Sequence, residues 1–281
     1  MQNLNWHGTL VVDEFADSGN PGDPPLKVGG FRVQGITNYE TWGGSADVYS
    51  LYGTPDADLI FLDRAGQEAP RLTNVTYVNG GAGNDLIDLT SVRFHYGAVT
   101  LDGGTGNDWL LGNSGGDRLY GMSGADHLKG YGGNDYLSGG SNNDHLHGGR
   151  GNDKLNGGSG HDYLMGQFGK DTLTGGSGND RFVFDVSATK SNMDTITDFS
   201  VKYDSIHLAK DIFTKAGSKG ALKSKAFWSG ASAHDADDRV IYNKKTGYLY
   251  YDADGTGSAD MKVVAKLDKN LNITHKDFFV V

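Results

Sequence analysis

Apolar side chains return at every ninth position over the middle of the chain. Leu110, Leu119, Leu128, Leu137, Leu146, Leu155, Leu164 and Leu173 keep one phase, and Phe182 closes it. Their immediate neighbours are more polar, as with Thr172 and Thr174 around Leu173. Each triplet therefore predicts a short strand with its central residue facing inward and its flanks facing out. Around that beat, Gly103 to Val183 divides without a gap into nine nonapeptides, the first reading Gly103-Gly104-Thr105-Gly106-Asn107-Asp108-Trp109-Leu110-Leu111. Position one is always glycine: Gly103, Gly112, Gly121, Gly130, Gly139, Gly148, Gly157, Gly166 and Gly175. Position six is always aspartate: Asp108, Asp117, Asp126, Asp135, Asp144, Asp153, Asp162, Asp171 and Asp180. The spacing predicts a six-residue turn followed by a three-residue strand, with glycines at one, two and four allowing φ above zero.

A separate copy, Gly80 to Asp88, carries Asp85 at position six, and a worn copy spans Gly53 to Phe61 with Asp58 and Ile60 in place. The phase slips between Gly80 and Gly103, which lie 23 residues apart. Four segments follow: an N-terminal β-rich segment over 1–52, an irregular start of the repeat region over 53–102, the regular array over 103–183, and a β-rich C-terminal cap over 184–281. In the cap, Arg239 to Tyr242, Tyr248 to Tyr251 and Met261 to Leu267 read as strands. Asp252 to Gly257 reads as a hairpin loop. It partly mimics an EF-hand, but Tyr250 and Met261 occupy the registers of the first and the bidentate ligand. Thr274 is a candidate N-cap with Asp277 three residues on.

Composition narrows the class. Among 281 residues there are 44 glycines, and 32 of the 35 acidic residues are aspartate, which disfavours a mainly helical protein. No apolar run approaches the roughly 18 residues of a membrane span, and Met1 to Val12 shows no secretory signal pattern. With no cysteine, disulfides, thiol catalysis and Cys-bound zinc are excluded. A net charge of −10 argues against nucleic acid and favours cations as partners.

The array resembles the RTX family, secreted bacterial proteins whose glycine-aspartate nonapeptides bind calcium in a parallel β-roll. Asp194-Thr195-Ile196-Thr197-Asp198-Phe199, Asp237-Asp238-Arg239-Val240-Ile241-Tyr242, Tyr250-Tyr251-Asp252-Ala253-Asp254-Gly255 and the ending Asp277-Phe278-Phe279-Val280-Val281 look like the region that follows such arrays. The resemblance covers roughly 53–281. It implies an all-β fold, a right-handed β-solenoid with two nonapeptides per coil. It also implies an extracellular location and a C-terminus that is an uncleaved signal for the type I secretion machinery.

In such a roll, equivalent residues stack every 18 positions at about 4.8 Å. One side carries Asp108, Asp126, Asp144, Asp162 and Asp180; the other carries Asp117, Asp135, Asp153 and Asp171. Bare carboxylates at that distance repel by roughly 3.5 kcal/mol per adjacent pair at an effective dielectric of about 20. A hard divalent cation between successive turns reverses this, using aspartate oxygens and turn carbonyls. Asp85, the nine aspartates and the nine position-one glycines are thus the expected metal residues. Counting the gaps between them gives four plus three, about seven interior calcium sites.

The function expected is a folding switch: unfolded and exportable at low calcium, folded outside the cell, where the chain acts as a binding or structural protein. Candidate partners are an extracellular polysaccharide or a cell surface. The alternative is the C-terminal calcium-binding and secretion portion of an extracellular enzyme or toxin. No Gly-x-Ser-x-Gly elbow, His-Glu-x-x-His helix or Walker loop is present, so no catalytic residue is assigned. Asp23-Pro24 is a candidate processing bond and also an ordinary turn. Position seven on one side stacks Trp109, His127, His145, Tyr163 and Arg181, with His147 beside His145. Three readings stay open for this column: zinc or nickel on the imidazoles, sugar rings stacked on the aromatics, or an ordinary solvated face.

Overall fold

The structure, a computed structural model, describes residues 75–90, 97–255 and 261–281, with the backbone of five short strands between residues 9 and 61. Asp23-Pro24, most of 1–52, and Gly53 to Asp58 of the worn repeat lie outside the described residues, as do 256–260 of the hairpin loop. Every regular element described is a β-strand or a single 3-10 turn.

Successive nonapeptides go alternately to two sheets. The first sheet stacks Trp109–Leu111, His127–Gly132, His145–Arg150, Tyr163–Phe168 and Arg181–Phe184. The second stacks Thr100–Thr105, Arg118–Ser123, Tyr136–Ser141, Lys154–Ser159 and Thr172–Ser177. All these neighbours are parallel and 18 residues apart in register, with Leu128 opposite Leu146 and Leu137 opposite Leu155. The molecule is a parallel β-roll with two nonapeptides per coil. Its position-eight side chains, Leu110 through Phe182, are at most 2% exposed and fill the space between the sheets.

Two details correct the expected nonamer. The strands are six residues long, because pairing resumes at positions two and three of the following copy, as in Gly140 opposite Gly158 and Ser141 opposite Ser159. The turn proper is therefore only three residues. Positive φ falls at positions two and four, never at position one. At Gly151 the need for glycine is also steric: φ is 134° and a Cβ there would collide with the Gly133 carbonyl one coil below, whereas Asn142 holds the same position with φ 80°.

The slip between Gly80 and Gly103 is one coil with five extra residues, since Tyr77–Ala82 pairs in parallel with Thr100–Thr105 and sets Gly81 opposite Gly104. Beyond residue 183 the parallel ladders run on. Asp194–Ile196 adds to Thr172–Ser177, and Ser205–Leu208 adds to Arg181–Phe184. Phe278–Val280 then joins Ser205–Leu208, and Lys262–Lys266 joins Asp194–Ile196. Antiparallel strands follow: Tyr248–Tyr251, Val240–Tyr242 and, on the first sheet, Gly220–Ala221. The strands Tyr248–Tyr251 and Lys262–Lys266 pair as the expected hairpin. Phe199, Phe213, Tyr242 and Phe278 plug the end of the roll and belong to the same apolar cluster as the leucine ladder. Thr274 caps a single 3-10 turn, His275–Asp277, in a reciprocal capping box with Asp277.

Candidate metal centre

The turns aim the position-six carboxylates into the roll, where Asp108 through Asp180 are 2% exposed or less. Each binds the coil before it: the backbone N–H of Asp108 donates to Asp126 Oδ1 at 2.8 Å, that of Asp126 to Asp144 at 2.8 Å, and that of Asp144 to Asp162 at 2.9 Å. On the other side Asp117 N–H donates to Asp135 at 2.7 Å, and Asp135 N–H to Asp153 at 2.8 Å. Asp85 joins the first column by donating its N–H to Asp108 Oδ1 at 2.8 Å.

The second oxygen is the informative one. Oδ2 of Asp108, Asp126, Asp135, Asp144, Asp153, Asp162, Asp171 and Asp180 is buried with no hydrogen-bond partner among the described residues. Burying such a group uncompensated costs about 1–3 kcal/mol, more when it is ionised. Desolvation accordingly pushes Asp126 and Asp162 up to about 6, Asp108, Asp135 and Asp153 to about 7, and Asp144 to about 8.

The position-one glycines supply room beside these oxygens. A Cβ on Gly103 would lie 2.5 Å from Asp108 Oδ2 and 3.0 Å from the carbonyl oxygen of Gly121 in the next coil. A carboxylate oxygen and a carbonyl oxygen thus face the same small volume, and only glycine leaves it open. Rows of oxygens with no nitrogen or sulfur donor fit a hard cation such as calcium.

Asp117 departs from its neighbours. Its Oδ2 accepts from the backbone N–H of Asn113 at 2.7 Å, and its Oδ1 accepts from Val99 N–H at 2.9 Å and from the Asn113 amide at 3.1 Å. Asn113 stands at position two, where Gly104 and Gly140 stand in other copies; its backbone N–H takes the oxygen that is left unpartnered in the neighbouring repeats, and its side chain adds a bond to the other oxygen.

Asp194 and Asp204 extend the columns although neither belongs to the nonapeptide count. Asp171 N–H donates to Asp194 Oδ1, and Asp180 N–H to Asp204 Oδ1, both at 3.0 Å. Their signal is an aspartate two residues before an inward apolar side chain, Ile196 or Ile206, at spacings of 23 and 24 instead of 18. Position one is also lost here, to Phe184 on one side and Asp198 on the other. Asp198 accepts from the N–H groups of Gly175 at 2.9 Å and Gly176 at 2.8 Å, which ends its column.

The outward histidines do not form a chelate. His127 stacks on His145 with centroids 4.6 Å apart and planes 20° apart, so their in-plane lone pairs run side by side without converging. Burial first, then neighbouring charge, lowers the pKa of His127, His145 and His147.

A parallel β-roll with two internal columns of half-satisfied carboxylates is a repeat scaffold built around divalent cations. Residues 77–90 and, in overlapping segments, 96–119, 111–146, 138–173 and 147–182 match the family model described as RTX calcium-binding nonapeptide repeat (4 copies). The chain thus carries RTX calcium-binding nonapeptide repeats over residues 77–90 and 96–182. No curated protein matches it. Among the described residues, no helix is long and apolar enough to cross a membrane.

Asn113→Gly keeps the backbone N–H that donates to Asp117 Oδ2 and removes only the amide on Oδ1, so it is expected to leave the calcium stoichiometry unchanged, measured by equilibrium dialysis against the unmodified chain. A count higher by one means that the Asn113 side chain, and not the backbone, keeps the ion from this position.

Proposed function

We propose that the chain is a secreted, non-catalytic calcium-binding module that leaves the cell unfolded through a type I exporter and folds on external calcium. Outside, the roll presents its sheet faces to an extracellular partner. The observation that carries this reading is the row of buried carboxylate oxygens without partners, because a core of that kind is unfavourable until a cation enters it. Calcium binds between coils whose two aspartates both keep such an oxygen. That gives four positions on the Asp108–Asp180 side and two on the Asp135–Asp171 side, six interior sites in all. The gap next to Asp117 is the one subtracted from the simple count of seven.

Export is tested by producing the chain beside a type I exporter in calcium-poor medium. The full chain is expected in the medium, and a chain ending at Leu267 is expected to stay in the cell. Equal release of both, or retention of both, contradicts the export part of the proposal.

A further inference from the structure

The outer face of the first sheet differs from the rest of the roll. Along it Trp109, His127, His145 and Tyr163 form one continuous stack, with centroid distances of 4.2, 4.6 and 5.4 Å and interplanar angles of 19°, 20° and 22°. The ring faces are therefore turned toward one another, and the strip presents edges. A sugar cannot lie flat on a face already covered, which removes the stacking platform expected from the aromatic residues alone. An edge offers something else: the partly positive rim of the ring and the in-plane donors of indole, imidazole and phenol.

Cations stand on three of the five strands of the same sheet, Lys129 at repeat position nine, Arg150 at position three and Arg181 at position seven. Arg150 and Arg181 are exposed and Lys129 is half-buried. Two are held in place over rings, the Lys129 ammonium 4.4 Å from the Tyr131 centroid and the Arg150 guanidinium 5.6 Å from that of Phe168. From Trp109 to Asp185, Asp185 is the one carboxylate on the outer side of this sheet among the described residues, and it accepts from the Gln167 amide at 3.2 Å. Most carboxylates of this acidic chain segment face the calcium columns inside. The outer strip is thus rich in donors and cations although the whole chain carries −10.

The spacing decides what fits. Every coil advances by one strand spacing, about 4.8 Å, so five coils cover roughly 19 Å. A linear polymer with one acidic or hydroxyl-rich unit per few ångströms, lying along the roll axis, meets a donor on every coil. The geometry points to this strip as a binding surface for an acidic polysaccharide, its carboxylate or sulfate groups taken by Lys129, Arg150 and Arg181 and its hydroxyls by the ring edges between them. The inference deepens the extracellular-module reading and rests on it. A nucleic-acid duplex needs a broader basic footprint than three cations.

The test uses the calcium-loaded full chain and four immobilised probes: dextran sulfate, polygalacturonate, neutral dextran and duplex DNA, with calcium in excess throughout. Binding to dextran sulfate, polygalacturonate or both is expected, weakening as salt rises. The relative strength of the two tells sulfate from carboxylate recognition. The variant Lys129→Glu/Arg150→Glu/Arg181→Glu is expected to lose about tenfold or more in affinity, as removal of charge-assisted contacts does. Arg118→Glu/Lys154→Glu, on the opposite sheet, is expected to change it little. Calcium titration of both variants shows that the roll still folds. If the first variant fails to fold, the milder Arg150→Gln/Arg181→Gln takes its place. Binding to no polysaccharide, equal binding to neutral dextran, preference for DNA, or loss only with the opposite-sheet variant each overturns the assignment. An intact calcium transition in those cases leaves the calcium module standing, so the two failures are told apart.

Discussion

Asp144→Ala should destabilise the calcium-loaded protein as much as any single aspartate change in the array, and should do the reverse without calcium. Asp144 stands at the centre of its column, so its removal damages two interior sites, the one shared with Asp126 and the one shared with Asp162. It also strips the Asp126 N–H of its acceptor. At calcium a hundredfold above Kd one site contributes about 2.7 kcal/mol, so losing two lowers stability by roughly 5 kcal/mol. Without calcium the same carboxylate is a buried group pushed up to about 8 by desolvation, and alanine relieves that penalty. Asp117→Ala is the matched control. Its carboxylate is already satisfied by Asn113 and Val99, so its loss should leave the calcium count unchanged. Equal calcium counts for Asp144→Ala and the unmodified chain would show that the column is not the binding site.

Acid should partly replace calcium. The folded-state pKa values of Asp126, Asp162, Asp108, Asp135, Asp153 and Asp144 lie at about 6 to 8, above the ordinary 3.8 of an unfolded aspartate. The folded metal-free roll therefore binds more protons than the unfolded chain. Its stability is highest below pH 3.8 and falls as pH rises through the 6 to 8 window. Resin-stripped protein should gain β-structure by circular dichroism when taken from pH 8 to pH 5. Metal-free protein whose β-content stays flat from pH 8 to pH 5 would contradict the desolvated-carboxylate picture.

The roll itself was legible because its two determinants are local and periodic. Leucine at every ninth position sets which residue faces inward, and aspartate two residues earlier sets which oxygen enters the turn. What the period could not carry were events that break it or that depend on a neighbour one coil away. Asp194 and Asp204 sit at spacings stretched by extra turn residues, so only their local pattern marks them. Asn113 looks like any position-two substitution until its amide is seen to close on Asp117. Position-one glycine reads as a conformational requirement, yet its φ is ordinary and its role is to make room for a carboxylate of its own repeat. Ring orientation is likewise set by packing between coils. Aromatic residues in a column suggested exposed faces or a chelate, and the parallel stacking of His127 on His145 supplied neither.

The most direct measurement is far-UV circular dichroism with tryptophan emission while calcium is added to metal-free protein at pH 7.5, with magnesium in a parallel titration. Magnesium demands a small octahedral shell and gives up water reluctantly, so it should not bridge these turns. A cooperative transition from coil to β-structure with calcium alone is the expected result. Metal-free protein with the same β-content as the calcium-loaded form would contradict it, because the buried carboxylate columns would then be tolerated without a cation and calcium would not control the fold.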